Sequence, residues 1–560
     1  MSDLAAERQT MEVDLVCVGF GPAMAGFLTT LAKTPGLESR VAPGMPLQVI
    51  CYERADDIGF GVSGVVTRAR GIRATLPDLD LTKIPMAAPV LEERLVYLLD
   101  PVGASRRSGL HRALDVLLRP FARPLAAIQL PYIPPFLSKH GGLVLSIGQF
   151  LQYVGGELMG SGTVQIWPGT PVAAPLLEDC RVVGVRLADQ GVDREGLPEA
   201  NYLPGMDVRA RLTVVADGPV GAVGQQLNER PPREWALGMK MLVDLPANVE
   251  LPPGTVIHTL GFPEPEIFGF LYVHAEQVAS VGIFVPSWFR SPTRTGYRYL
   301  QRFLLHPYIW RFVEGGRMRS WGAKSILESG RRDEPALVGV GYARIGEGSG
   351  STNPLAGSGV DEAWATGAQL ADAVVELSKA GQPLTRENLE KAYVARRRAS
   401  WVEKEARMAE RARNGFHRGF FRGLAGMALA GFSRGRWGIR GTSQPMLASA
   451  PGETSRWPEI PYDGQLLVSH QDALLMGGKV QAPPGFADHV RFLDPATCVT
   501  CAMRMCIEMC SGQAITAGNG DRVPMFDREK CVHCGACLWN CPEGVLAFEA
   551  GAGGLHSNEN

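Results

Sequence analysis

In a chain of 560 residues, 56 basic side chains stand against 57 acidic ones for a net charge of −1, with 45% hydrophobic and 20% charged residues. That balance excludes a disordered chain and a broadly basic nucleic-acid binder, and the length allows about three to five units of roughly 100 to 200 residues. No apolar run approaches the about 18 residues of a spanning helix, and the N-terminal MSDLAAERQTMEVDLV lacks a basic-then-apolar secretory pattern, so a reducing compartment is expected.

Residues Val13 to Val18 form an apolar run broken by Asp14, followed by Gly19-Phe20-Gly21-Pro22-Ala23 and by Met24 to Lys33, whose apolar residues fit a helix. Gly19 and Gly21 permit a tight turn and the approach of a pyrophosphate to a helix N-terminus, where unsatisfied N–H groups attract anions. Met24 replaces the third glycine of a GxGxxG pattern, so either the helix is slightly displaced or Gly26 takes over the close-packing role. A second run, Leu47 to Tyr52, ends at Glu53, a strand-end acid suited to a ribose hydroxyl, although later than the usual spacing of about 20 residues.

Ser108 to Phe136 carries Leu110, Leu114, Leu117, Leu118 and Phe121 on one helical face with Arg112, Arg119 and Arg123 interspersed, then the apolar Leu125 to Phe136. Two more strand-to-glycine junctions follow, Leu212 to Ala216 into Asp217-Gly218, and Ala336 to Val340 into Gly341. Between them, Trp235 to about Phe289 alternates apolar and polar residues and predicts a second, interwoven sheet. The glycine- and serine-rich Gly346 to Gly359 precedes a helical pattern from Val360 to Leu377.

From Arg411 to Gly452 there are seven arginines and no Asp or Glu, interleaved with Phe416, Phe420, Phe421, Leu424, Met427, Leu429, Phe432 and Trp437. Such side chains can enter an acyl boundary while guanidinium groups stay with anionic headgroups. A local basic patch on a neutral chain suits a lipid surface better than nucleic acid, and both this segment and Ser108 to Phe136 read equally as buried helices. Pro445 to about Pro461, rich in Pro, Ser and Gly, marks a linker.

Three cysteines, Cys17, Cys51 and Cys180, are scattered; the other eight of the 11 lie between Cys498 and Cys541. Cys531-Val-His-Cys534-Gly-Ala-Cys537-Leu-Trp-Asn-Cys541-Pro542 reproduces the CxxCxxCxxxCP run of a bacterial-type ferredoxin, in which the fourth cysteine serves the other cluster. Upstream, Cys498, Cys501, Cys506 and Cys510 form a CxxCxxxxCxxxC variant with Ser511 where proline is usual. Cross-ligation gives one 4Fe-4S cluster on Cys510, Cys531, Cys534 and Cys537 and a second on Cys498, Cys501, Cys506 and Cys541. Zinc ribbons or a disulfide knot are the bland alternatives; zinc usually takes paired CxxC knuckles, and the triple spacing ending in CP argues against it. No Ser/His/Asp or paired-carboxylate constellation stands out, and His140, His274 and His306 read as structural.

The chain resembles the electron-transfer flavoprotein-ubiquinone oxidoreductase family and its relatives in nitrogen-fixing bacteria whose ferredoxin part is a separate chain. The marks are the glycine turn, Glu53-Arg54-Ala-Asp-Asp-Ile-Gly59 with Ser63-Gly64, Lys139-His140-Gly141 leading to Ile147-Gly148-Gln149, and Asp217-Gly218 with Gly221. Further on come His306-Pro307, Glu314-Gly315-Gly316, Trp321-Gly322-Ala323, Asn353-Pro354 with Gly357 and Gly359, and the terminal CVHCGAC. The resemblance implies FAD bound at Gly19, Gly21, Pro22, Ala23, Glu53, Arg54, Ser63, Gly64, Asp217, Gly218, Asn353, Pro354, Gly357 and Gly359. It also implies a 4Fe-4S cluster, reduced electron-transfer flavoprotein as donor, a membrane quinone (ubiquinone or menaquinone) as acceptor, and monotopic attachment to a lipid surface at the cytoplasmic face. The family's quinone site has paired glycines ahead of Phe-Leu-Tyr; here Gly269 stands alone before Phe270-Leu271-Tyr272.

The expected fold is an α/β Rossmann-like, glutathione-reductase-type FAD domain over 11–444, interwoven with an α+β quinone- and membrane-binding domain at about 108–136, 235–330 and 411–440. A linker and lead-in at 445–485 and a ferredoxin-type domain at 486–560 follow. Two rival readings are a geranylgeranyl-reductase-like flavoenzyme saturating isoprenoid double bonds with cluster electrons, and a non-enzymatic electron-carrier subunit of a larger complex.

Overall fold

Thr10–Val18 is buried on both faces beyond Glu12, as befits the middle of a parallel sheet. In the computed structural model, which describes residues 8–59, 63–227, 234–286, 296–441, 457–476, 485–518 and 523–549, this strand pairs in parallel with Asp207–Val215 on one side and Val49–Tyr52 on the other. The sheet runs Val338–Gly339, Tyr342–Arg344, Asp207–Val215, Thr10–Val18, Val49–Tyr52, Gln165–Trp167, with Arg181–Leu187 and Val172–Glu178 added antiparallel off Asp207–Val215. Asp14, the polar break in the first strand, accepts N–H bonds from Arg40 (2.8 Å) and Gln48 (3.0 Å) and so ties down the connection that delays Glu53.

Helix Pro22–Ala32 crosses helix Val360–Lys379 at glycines on both sides. A Cβ on Gly26 would stand 2.5 Å from Trp364 O, and one on Gly367 would overlap Ala23 O. Gly26 therefore does serve close packing in place of the missing third glycine, against a second helix rather than a strand, while Met24 is fully buried.

The second sheet runs Arg317–Leu327, Trp235–Asp244, Val278–Pro286, Phe268–Val273, Thr255–Leu260, Glu92–Leu98, Ala127–Gln129, antiparallel except between Thr255–Leu260 and Glu92–Leu98. Helices Gly296–Leu304 and Pro307–Val313 cover one face through Leu300, Phe303, Leu304 and Ile309. The other face meets the nucleotide-binding part through Phe270 and Tyr272 against Val66, Val90 and Val144. Arg411 to Gly441 falls within the described residues and includes helix Phe420–Phe432; the rest of the arginine-rich segment, the linker up to 456 and the last 11 residues lie outside them.

The cysteine-rich end folds as two small antiparallel pairs, Val490–Phe492 with Leu546–Phe548 and Ile515–Thr516 with Met525–Phe526, around short helices at Pro495–Thr500, Met505–Glu508 and Ala536–Trp539. This small body packs on the larger one. Ser325 N donates to Cys534 O (3.0 Å), Trp539 Nε1 to Ser325 Oγ (2.6 Å), and Gln225 Nε2 to Phe548 O (3.3 Å). Among the described residues no helix is long and apolar enough to cross a membrane.

Candidate redox site

The glycine turn supplies an anion cradle. Gly19 adopts φ +83°, Gly21 caps helix Pro22–Ala32 without a side-chain hydrogen bond, and Pro22 opens the helix. A Cβ on Gly21 would meet nothing within 4 Å, and the same holds at Gly218 (φ +77°) and Gly357 (φ +56°). Gly359 likewise caps helix Val360–Lys379 with no side-chain partner. Open space before glycines at two uncapped helix N-termini fits a dinucleotide, whose phosphates can take the free N–H groups.

The side chains around this cradle divide by partner. Glu53 accepts from Phe20 N (2.7 Å) and Ala55 N (3.0 Å), which fixes a carboxylate at the turn with oxygen lone pairs to spare for a hydroxyl. Ser63 Oγ instead bonds Ser146 Oγ (2.8 Å) and Gly148 N (3.0 Å), so it anchors the loop to helix Ile147–Gly160. Asp217 is turned to the N–H groups of Val223 and Gly224 (both 2.9 Å), and burial pushes its carboxyl up. Asn353 Oδ1 accepts from Ala356 N (3.1 Å) and holds the Asn353-Pro354 turn whose ends pair at Ser358. Ala23 is buried under the helix crossing, and Gly64 (φ +80°) lies against Ser280 and Lys240 of the second sheet.

The eight clustered cysteines carry free thiols and fall into two groups. Cys510, Cys531, Cys534 and Cys537 are all buried; burial first, and then Cys534, Cys510 and Cys531 as neighbours, push the Cys537 thiol well up. Cys506 is pushed up to about 12 by burial and then by Cys541, Cys498 and Cys501. The thiols thus crowd one another in the sets that cross-ligation requires, Cys541 siding with the upstream triplet and Cys510 with the downstream one. Such mutual repulsion is relieved when thiolates share a cation-rich cluster, and soft sulfur donors suit iron–sulfur chemistry. Cys506 also raises Cys537, so the two groups adjoin.

Polar contacts to sulfur concentrate on the buried group. Cys510 Sγ receives Ala514 N (3.1 Å) and Ile515 N (3.4 Å), Cys531 Sγ receives His533 N (3.3 Å), and Cys534 Sγ lies 3.5 Å from Ser511 Oγ. Ser511, the departure from the usual proline, is thereby a partner of a cysteine. Sequence reasoning missed His489: its Nε2 lies 3.2 Å from Cys531 Sγ, and its ring stacks on His533 at 4.0 Å. Buried Arg54, next to Glu53, reaches His533 Nδ1 at 3.3 Å. The strand end that holds Glu53 and the cysteine group are therefore joined through Arg54, His533 and His489. The 479-residue separation between Arg54 and His533 left no spacing signal for this contact.

Gly269 and Phe270 point to opposite faces of the second sheet. A Cβ on Gly269 would stand 2.5 Å from Phe303 Cζ, while Phe270 stacks on Tyr272 at 4.5 Å and faces the nucleotide-binding part. At the far end of this sheet helices Gly109–Ala122 and Phe420–Phe432 pack together, His111 stacking on Phe420 at 4.9 Å, and Phe136, from the chain beyond the first helix, meets Phe432 at 5.8 Å. Their outer sides expose Leu110, Val116, Leu117 (70%), Phe121 (81%) and Phe432, and Trp437 is exposed just beyond the second helix.

Comparisons with known proteins bear on this arrangement. Residues 235–326 match the domain described as "ETF-QO, ubiquinone-binding", and residues 523–546 match a 4Fe-4S binding domain. The electron transfer flavoprotein-ubiquinone oxidoreductase of Pseudomonas aeruginosa is 29% identical over 413 residues, 71% of this chain and 69% of that one. The mitochondrial protein of that name from Oryza sativa subsp. japonica is 25% identical over 592 aligned positions, covering 97% of this chain and 93% of its own. Among solved structures, a geranylgeranyl bacteriochlorophyll reductase-like protein from Thermoplasma acidophilum covers 75% of this chain and 92% of its own at TM-score 0.53 and 16% identity. That likeness is one of fold.

Proposed function

The chain is a relative of the electron-transfer flavoprotein-ubiquinone oxidoreductases, and we propose on that footing that it passes electrons from reduced electron-transfer flavoprotein through iron–sulfur and FAD to a membrane quinone. The reading is supported above all by one observation: a buried cysteine quartet sits against both the Glu53 strand end, through Arg54 and His533, and the quinone-type sheet, through Ser325. Bound FAD supplies two-electron chemistry and each 4Fe-4S cube one-electron chemistry, so single electrons can be gathered into pairs.

The residues divide the work. Gly19, Gly21, Pro22 and Ala23 receive the pyrophosphate, Glu53 the ribose, and Arg54, Ser63 and Gly64 border the nucleotide from the following loop. Asp217 and Gly218 close one side, and Asn353, Pro354, Gly357 and Gly359 the side of helix Val360–Lys379. Cys510, Cys531, Cys534 and Cys537 hold the inner cube; Cys498, Cys501, Cys506 and Cys541 hold the outer one. Residues 11–444 form the FAD domain interwoven with quinone- and membrane-binding segments, 445–485 the linker and lead-in, and 486–560 the ferredoxin-type domain.

Ubiquinone or menaquinone enters near Gly269 and Phe270 from a lipid surface at the cytoplasmic face. The exposed Leu117 and Phe121 beside Phe432 and Trp437, with arginines on the same segments, suit monotopic attachment to anionic lipid. The test is anaerobic quinone reduction with reduced electron-transfer flavoprotein as donor, in the presence of anionic vesicles. Turnover is expected with at least one of the two quinones; none with either contradicts the function. Leu117→Glu with Phe121→Glu is expected to abolish vesicle co-flotation while sparing flavin and iron content.

A further inference from the structure

Lys240 lies in the middle of Trp235–Asp244, a strand otherwise apolar from Trp235 to Val243. The residue is 6% exposed, and its Nζ has no hydrogen-bond partner among the described residues. Burial holds the ammonium well below the ordinary lysine value. Among the described residues its other neighbours are apolar or neutral: Gly282 beside its Cβ, with Phe270 against that glycine, Ser280, whose hydroxyl is already bonded to His274 Nε2 (2.8 Å), and His274 itself, which burial and then Lys240 push toward the neutral imidazole. An unpaired cation in such a place is costly to fold around and points to a ligand that supplies the missing acceptor.

Where the ammonium points narrows the ligand. A Cβ on Gly64 would stand 3.1 Å from Lys240 Nζ. Gly64 lies on the loop that leaves Glu53, whereas the strand carrying Lys240 belongs to the quinone-type sheet and pairs with Gly282 and Gly322 on its two sides. The group thus sits at the seam between the nucleotide cradle and that sheet. The phosphates have the helix N-terminus at Gly21 for their charge, on the other sheet. What remains for the seam is the redox-active ring, part of which gains negative charge when it takes up electrons.

We propose that Lys240 is a catalytic cation of the redox site, its ammonium held beside the edge of the flavin ring that becomes negative on reduction. The proposal rests on FAD occupying the cradle described above. A fixed positive charge there favours the electron-rich ring and raises the ring's reduction potential. It also favours addition of sulfite to the oxidised ring, because the adduct carries the same negative charge.

The probe is sulfite, titrated into the FAD-loaded holoprotein and read by bleaching of flavin absorbance, alongside a potentiometric titration with the iron–sulfur EPR signal as internal reference. Wild-type protein is expected to form the adduct. Lys240→Met is expected to weaken it at least about tenfold and to lower the flavin potential without moving the cluster potential, and Lys240→Arg to restore most of both. In apoprotein the sign reverses: Lys240→Met removes a buried amine that has no hydrogen-bond partner among the described residues and is expected to raise the melting temperature, which a lysine of merely structural use would not do. Absence of the adduct in wild type, or an unchanged sulfite affinity and potential in FAD-loaded Lys240→Met, overturns the proposal. A wild-type chain that takes up no FAD would instead overturn the reading on which it rests.

Discussion

The two cysteine quartets share their donor atoms and their neighbourhood but differ in everything around them. Cys510, Cys531, Cys534 and Cys537 are buried, touch the larger body through Ser325, and have backbone N–H groups, the Ser511 hydroxyl and His489, from a segment outside the cysteine motifs, at their sulfurs. In the other quartet Cys498 and Cys506 are buried, whereas Cys501 and Cys541 are half-buried near the surface. Hydrogen bonds to sulfur and solvent exposure are the protein's means of setting a cluster's potential. The same ligand set can thus serve as an inner relay toward the flavin in one place and as an outer contact for a protein donor in the other.

The sharpest way to break this contrast is to remove one ligand from each side. Cys537→Ala is expected to lower quinone reduction by at least about a hundredfold with loss of about four irons, because the step next to the flavin disappears. Cys501→Ala is expected to lose about four irons as well, yet to keep the inner EPR signal and flavin reduction by dithionite. Equal loss of both signals in either variant would mean that the quartets form one unit. A smaller effect is expected at His489. His489→Phe removes a ring N–H from Cys531, worth about 1 kcal/mol for an ordinary hydrogen bond, and so should lower the inner cluster's potential by roughly 40 mV. The outer potential should stay where it is, which redox-poised EPR resolves. Smallest is Ser511→Ala, expected to shift the inner potential in the same direction by about half as much, in line with the 3.5 Å separation from Cys534.

The contrast also marks what sequence could reveal. CxxCxxCxxxCP announces sulfur ligation because three thiols two residues apart on a tight turn can converge on a small inorganic body, and the rule that the fourth ligand crosses over points to Cys510, which the fold places beside Cys531, Cys534 and Cys537. The strand, turn and helix at Gly19 were legible because glycine placement is a local property; the interwoven sheet from Trp235 was legible as a sheet, although Trp235–Val243 is buried along both faces instead of alternately. His489 was not legible. It reaches Cys531 through the fold of the Val490–Phe492 and Leu546–Phe548 pair, and nothing in its flanking residues distinguishes it.

Two other cases lie between these. Gly26 was one of two ways to compensate for Met24, and only the crossing with helix Val360–Lys379 shows that it packs against Trp364. Glu92–Leu98 and Ala127–Gln129 join the second sheet as the last two strands at one end, although the latter lies inside a stretch read as apolar and membrane-facing. Lys240 did leave a trace, a single charge in an otherwise apolar strand, but burial without a partner becomes visible only in three dimensions.

The most direct test is a count of iron and acid-labile sulfide on anaerobically reconstituted protein, joined to EPR of its reduced form. Two occupied quartets predict about eight irons per chain and a spectrum broadened by coupling between adjacent spins. Zinc in place of iron, or cystines and no EPR signal, would contradict it.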